Sequence, residues 1–293
     1  MTAAVPARER RFSVTPYLFL LPALCLAALF VYYPFAKTFA EAFSLVNAQG
    51  EILSYAGLCN FRYLFGRRQF LSALGNTLLL TAINVPVTVA LSLTLAALAT
   101  KKRRISPFIE TLFSLPMAVS MATAALVFKL MFNPTVGIVN RLLGTQAGWF
   151  EDKGTALYTM LILTVWMGIG FNFLLFLSAM RSVPDERMGA ARVDGANEWQ
   201  VLWHIRLPAV MPTTVYVCAS NAILALMTSG PVMIITQGGP SRATTTLIYM
   251  MYTSGYASGN DALAACVSLV AFALTFVFTW LILFLDREKV QDL

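Results

Sequence analysis

Six apolar runs, each about 20 residues or longer, constrain this chain more than any other feature. They cover roughly 17–36, 74–99, 108–132, 156–180, 209–236 and 261–285. At a rise of ~1.5 Å per residue, each can cross a hydrocarbon core about 30 Å thick. Inside lipid every backbone N–H and C=O must be satisfied without water, so helices are the expected form, and the strict alternation of a membrane barrel is missing. Composition agrees. Of 293 residues 58% are apolar and 12% charged, too few charges to cover a soluble domain, which carries about 25%. The expected fold is all-α: a polytopic membrane protein with six transmembrane helices.

Arg8, Arg10 and Arg11 precede the first run in the manner of a signal peptide. The stretch from Tyr17 to Phe35 is about 19 residues, longer than a typical signal core, and reads as a retained span. Orientation follows from lysine and arginine. With the N-terminus in the cytoplasm, 13 basic residues fall inside, in the N-terminal tail, Lys101–Arg104, the 181–208 loop and the C-terminal pair Arg287 and Lys289. Eight fall outside, Arg67 and Arg68 among them. The bias places both termini in the cytoplasm of a cell-membrane protein. The organisation is then a cytoplasmic tail 1–16, a first transmembrane helix 17–36, an outside loop 37–73, a membrane core 74–285 containing the inside loop 181–208, and a tail 286–293. Topology accounts for the net charge of +7, and no basic stripe with interleaved aromatics points to nucleic acid. Cys25, Cys59, Cys218 and Cys266 form no CxxC pair and no zinc-ligand spacing, so no metal site is expected.

The inside loop is long for a connector between membrane helices, and long structured connections often carry function. From Met180 to Pro212 it reads MRSVPDERMGAARVDGANEWQVLWHIRLPAVMP. Pro184 suits a first helical position, where its missing N–H costs nothing. Asp185 and Glu186 then fall in the first turn, where acids favour the helix dipole. Gly195 is a natural exit, Asn197 can cap a second short helix, and Pro208 is expected to stop it. The result is a helix–turn–helix whose crest is small: Gly189, Ala190, Ala191, Gly195 and Ala196. Small residues with flanking charge suit a docking ridge for a soluble partner. The same features suit an interfacial helix pair lying on lipid headgroups, and the residues alone leave both open.

The loop resembles the EAA motif of ABC-importer permeases in the carbohydrate-uptake group. The resemblance is carried by Gly189-Ala190-Ala191, Asp194-Gly195-Ala196 and Ile205-Arg206-Leu207-Pro208, with Pro184, Trp199, Gln200 and Pro212 also in place. It extends over nearly the whole chain: GLCNFRYLF at 57–65, FNPTVGIVN at 132–140 and QGGPSRATTTLIYMMY at 237–252 are similar to segments of the same family, the last especially to permeases for sugars and glycerol-3-phosphate. The resemblance implies a type I importer permease fold. It also implies a coupling loop formed by Pro184, Gly189, Ala190, Ala191, Asp194, Gly195, Ala196 and Pro208, seated in a cleft of a partner ATPase. The implied partners are a second homologous permease, two ATP-binding cassette subunits and an extracytoplasmic solute-binding protein. One departure matters: the family's glutamate is Gly189 here, which suggests that the ridge needs only small size at that position.

No Walker A motif is present, so ATP and Mg are expected on partner subunits and no cofactor on this chain. His204 is the lone histidine and forms no evident catalytic pair. Within the spans, Asn84, Lys129, Trp166, Asn172 and Asn221 are candidates for a substrate pathway, since polar groups there are costly. Helix–helix hydrogen bonding for the asparagines, and snorkelling for Lys129, are the plainer readings. Pro86, Pro116 and Pro231 should kink their helices. An ion-coupled secondary transporter is the competing class, but it usually needs acids deep in the membrane, and Glu110 and Asp261 lie near span ends. A non-transporting scaffold or enzyme would leave the ridge unexplained.

Overall fold

The computed structural model describes residues 15–47, 49–101 and 104–290, with side chains from 18 to 284 within those stretches. Most of the expected tails lies outside the described residues, as do Lys102 and Arg103 and the side chains of Arg8, Arg10, Arg11, Arg287 and Lys289. Among the described residues, four helices are long and apolar enough to cross a bilayer: Leu18–Ala42, Arg68–Ala99, Ala156–Arg181 and Asp261–Phe284. Two further pairs pass together but are bent: Ser106–Ala118 with Met121–Met131 by 99°, and Glu198–Ala209 with Met211–Leu226 by 64°. Six spans result when each bent pair counts as one.

The third run, expected as one helix over 108–132, is therefore broken. Pro116 removes a donor near its middle, and Val119 and Ser120 take extended backbone angles. The Ser120 hydroxyl then accepts from the Thr123 N–H at 3.2 Å and starts a new helix. The fifth run, 209–236, is helical only to Leu226. Pro231 opens a separate π-helical turn, Val232–Thr236, which ends on Gln237 at φ +51°. Pro86 does not break its helix, which runs unbroken from Arg68 to Ala99. The expected outside loop 37–73 is largely ordered structure. The first helix continues to Ala42, an antiparallel pair joins Ser44–Val46 to Ile52–Tyr55, and a helix spans Cys59–Phe65. The Asn60 amide staples this segment by donating to the Ala42 and Ser44 carbonyls at 3.1 and 2.8 Å.

The centre is the Arg68–Ala99 helix packed along Ala156–Arg181. Val89, Ala96 and Ala99 meet Phe173, Phe176, Leu177 and Met180, with Val210 and Val217 closing the cluster. A second cluster, at the start of the Arg68–Ala99 helix, joins Phe70 and Ala73 to Leu247, Met250 and Cys266. The first span packs along the last, with Phe35 and Phe272 edge to face at 5.4 Å. Its apolar window is otherwise bare, 0% buried, which is stable only where lipid or another membrane subunit covers it.

The Arg68–Ala99 helix, about 48 Å long for its 32 residues, holds a loop at each end. Near its start, Asn76 donates to the Arg242 and Thr245 carbonyls, both at 3.0 Å. At its finish, the Arg181 guanidinium donates to the Ala99 carbonyl at 3.2 Å, and Lys101 pairs with Glu198 at 3.2 Å. The 237–246 and 185–206 segments therefore lie at opposite ends of the bundle.

Candidate functional site

The 185–206 segment folds as two short helices joined at a tight corner. The first, Asp185–Val193, begins after Pro184, which is the N-cap rather than the first helical residue, and keeps Asp185 and Glu186 in its first turn. Met188 anchors it at 4% exposure. Gly195, at φ +87°, turns the chain out: its N–H donates to the Arg192 carbonyl and that of Ala196 to the Ala191 carbonyl. A side chain at that φ would be strained. The second helix starts with a capping box, in which Asn197 Oδ1 accepts from Gln200 N–H and Gln200 Oε1 accepts from Asn197 N–H, both at 2.8 Å. A π-helical turn over Leu202–Arg206 carries the helix into Leu207–Ala209, so it ends one residue after Pro208, close to the expected stop, and the chain bends by 64° into Met211–Leu226.

At the corner Ala191, Asp194, Gly195, Ala196, Gln200, Val201, His204 and Ile205 line an open cleft of about 310 Å³. Three of the five expected crest residues, Ala191, Gly195 and Ala196, are thus brought together, and Gln200 and His204 join them. Ala190 is exposed beside it, and Gly189 has open space where a side chain would stand. Glu198 links this corner to the membrane helices, since it pairs with both Lys101 and Arg192 at 3.2 and 3.1 Å. The hydrogen bond from Lys101 holds the Glu198 carboxyl below its ordinary value of 4.5, with Arg192 adding to the effect.

The polar residues of the spans divide into two groups. Asn84, near the midpoint of its helix, donates to Thr164 Oγ1 at 2.8 Å. Both line a cleft of about 370 Å³ with Asn221, Thr228, Ser229 and a wall of Met121, Met167, Met227 and Leu224. Asn172 lies behind it, buried, and donates to Asn221 Oδ1 at 3.0 Å, so it supports the cleft instead of lining it. Gly168, on the cleft wall, lets its helix pack close to Thr88, because a Cβ there would lie 2.8 Å from the Thr88 methyl. Thr164, Ser229 and the methionines gave no distinguishing signal in the sequence, since their role depends on the break after Leu226.

Lys129 is remote from that cleft. It lines another of about 400 Å³, toward the end that bears the 237–246 segment, with Phe132, Phe150, Glu151, Thr236 and Pro240. Trp166 packs on Phe128 at 5.5 Å within the aromatic cluster beneath it. The 237–246 segment itself is pinned by threonines: Thr244 donates to the Gly239 carbonyl, Thr245 to that of Gly238 and Thr246 to that of Thr228. Gln237, Ser241 and Arg242 hold left-handed φ angles there, uncommon for residues other than glycine.

Residues 88–291 match the family described as the binding-protein-dependent transport system inner membrane component. The chain belongs to this family. The permease is 32% identical over 268 residues to the sn-glycerol-3-phosphate transport system permease protein UgpA of Yersinia enterocolitica, covering 90% of this chain and 91% of the relative. It is also 32% identical over 283 residues to UgpA of Salmonella typhi, covering 95% of each. Its fold matches a chain in the crystal structure of a bacterial alginate ABC transporter in complex with an alginate pentasaccharide-bound periplasmic protein. The TM-score is 0.83, with 21% identity and 94% of each chain covered. The permease is thus a multi-pass membrane component of an ABC importer that works with a solute-binding protein and an ATPase, and the ion-coupled and scaffold readings are set aside.

Proposed function

We propose that the permease forms half of the translocation pathway for a carbohydrate, a sugar or oligosaccharide, and pairs with a second, homologous permease. Two ATP-binding cassette subunits, which carry ATP and Mg, dock on the 185–206 corner, and hydrolysis takes place on them. A solute-binding protein docks at the opposite end, by the 237–246 segment. Both termini lie in the cytoplasm. The observation that carries the coupling role is the cleft at the corner, walled by Ala191, Gly195 and Ala196 and edged by Asp194. Small walls admit a partner's backbone closely, and the Glu198 links to Lys101 and Arg192 tie any movement of the corner to the membrane helices. ATP-driven closure of the cassettes draws the two permeases' corners together and turns the central cleft outward; hydrolysis resets it.

The carbohydrate reading rests on the mid-membrane cleft, whose walls offer amides and hydroxyls from Asn84, Thr164, Asn221, Thr228 and Ser229 and no charged group among the described lining residues. Such groups suit the hydroxyls of a neutral solute. A second reading, import of glycerol-3-phosphate or a related polar solute, is favoured by the names of the relatives at 32% identity. Coupling is tested with Ala190→Trp and Asp194→Lys in the reconstituted importer. Both variants should assemble in the membrane yet lose ATP hydrolysis stimulated by the loaded binding protein; normal stimulation in both removes the corner from the mechanism. A thermal-shift screen of the binding protein against neutral sugars and glycerol-3-phosphate separates the two substrate readings.

A further inference from the structure

On the side of the 185–206 loop facing the membrane helix ends lies an open pocket of about 520 Å³, separate from the crest cleft. Its charged lining is Lys101, Arg181, Arg192 and Arg206 against Asp185. Three of the cations are balanced: Arg181 pairs with Glu110 at 2.6 Å, and Lys101 and Arg192 share Glu198. Arg206 is not. It is 8% exposed, and among the described residues its guanidinium has no carboxylate partner; Nε donates to the Met188 thioether at 3.1 Å, a weak acceptor. The buried Arg181 Nε on the same wall also lacks an acceptor. The Arg206 side chain is largely withdrawn from water, but its Nη groups, which make no hydrogen bond among the described residues, reach this open polar pocket, where an anion from outside the chain would pair with them. Guanidinium groups match phosphate by paired hydrogen bonds.

We infer that this pocket binds a phosphate group through Arg206 and Arg181, and that its occupancy braces the coupling loop against the ends of the Arg68–Ala99 and Ala156–Arg181 helices. The phosphate belongs to an anionic lipid headgroup or to a free phosphate compound. The segment that carries Arg206 also carries Trp199 and Trp203, an exposed edge-to-face pair with centroids 5.6 Å apart, and tryptophan is enriched at headgroup depth. The site is distinct from the solute cleft and does not depend on the identity of the imported solute.

The assembled importer, with its partner permease and cassettes, is placed in nanodiscs and its unfolding followed by intrinsic fluorescence. In one arm the lipid is neutral phosphatidylcholine and inorganic phosphate is titrated against chloride at matched ionic strength. In the other, phosphatidylglycerol is included and no phosphate added. The native complex should gain roughly 3 °C in at least one arm, which identifies the source, and Arg206→Met should lose that gain. No gain in either arm, or the same gain in Arg206→Met, overturns the proposal. Should Arg206→Met fail to assemble, Arg206→Lys keeps the charge and loses the fork; it should need a severalfold higher phosphate or phosphatidylglycerol level for the same gain, and an unchanged requirement overturns the proposal. If neither probe stabilises the native complex while Arg206→Met sheds its cassettes, a carboxylate of the ATPase fills the pocket and the phosphate assignment is wrong.

Discussion

Two residues show how much a single position decides here. Asn221 accepts from Asn172 and donates to the Val217 carbonyl at 2.7 Å, and it also lines the mid-membrane cleft. Asn221→Ala leaves the buried Asn172 amide without its acceptor. It should lower stability by about 1 kcal/mol, the usual scale for interhelical hydrogen bonds in membranes, read as a lower unfolding temperature of the assembled complex. Gly189 stands where the family has glutamate, and the space around it is open. Sterics therefore do not explain the glycine, and Gly189→Glu fits without moving a neighbour. Replacing a helical glycine should add about 1 kcal/mol of helix stability. With room for the larger side chain and no acid required at that position, coupled ATP hydrolysis should stay within about twofold of the native rate; a severalfold rise would show that the missing acid limits coupling.

At the scale of elements, the 185–206 loop is a preformed corner held by caps and ion pairs. Its link to the membrane helices runs through Glu198, whose carboxyl is held below the ordinary 4.5 by Lys101 and Arg192. A carboxyl with a depressed folded value contributes stability above its ordinary value and loses it as pH falls through the depressed one. The group is exposed, so the effect is local and modest. Amide exchange in 185–206, corrected for its intrinsic pH dependence, should show protection falling as pH drops below about 4.5, and Glu198→Gln should show reduced protection with little pH dependence. Much of this element was legible in the sequence. Asn197 reads as the cap of a second short helix and Gly195 as an exit, while the reciprocal bond from Gln200 appears only in the structure. Pro208 marked the stop to within one residue: the helix runs through the π turn Leu202–Arg206 to Ala209, and the chain then bends by 64°.

For the whole molecule, the two loops at opposite ends of the Arg68–Ala99 helix make the orientation testable. In a cysteine-free background, Val136→Cys, on the Lys129 side, should react with a membrane-impermeant maleimide added to intact cells. Val193→Cys, 89% exposed on the coupling loop, should react only after permeabilisation. The reverse pattern would invert the topology. The sequence by itself determined that the chain is a helical membrane protein with six apolar runs and a helix–turn–helix loop between the fourth and fifth, because a run of about 20 apolar residues has few alternatives in lipid and because caps and turns are local. It did not determine that the third and fifth runs are broken, since Pro86, Pro116 and Pro231 look alike in sequence. Pro86 lies in an unbroken helix, whereas Pro116 sits in the last turn before one break and Pro231 opens the turn that follows the other. Nor did it separate Asn84 and Asn221, which share a cleft, from Lys129 and Trp166, which do not. Those distinctions depend on which helix faces which, and only tertiary packing sets that.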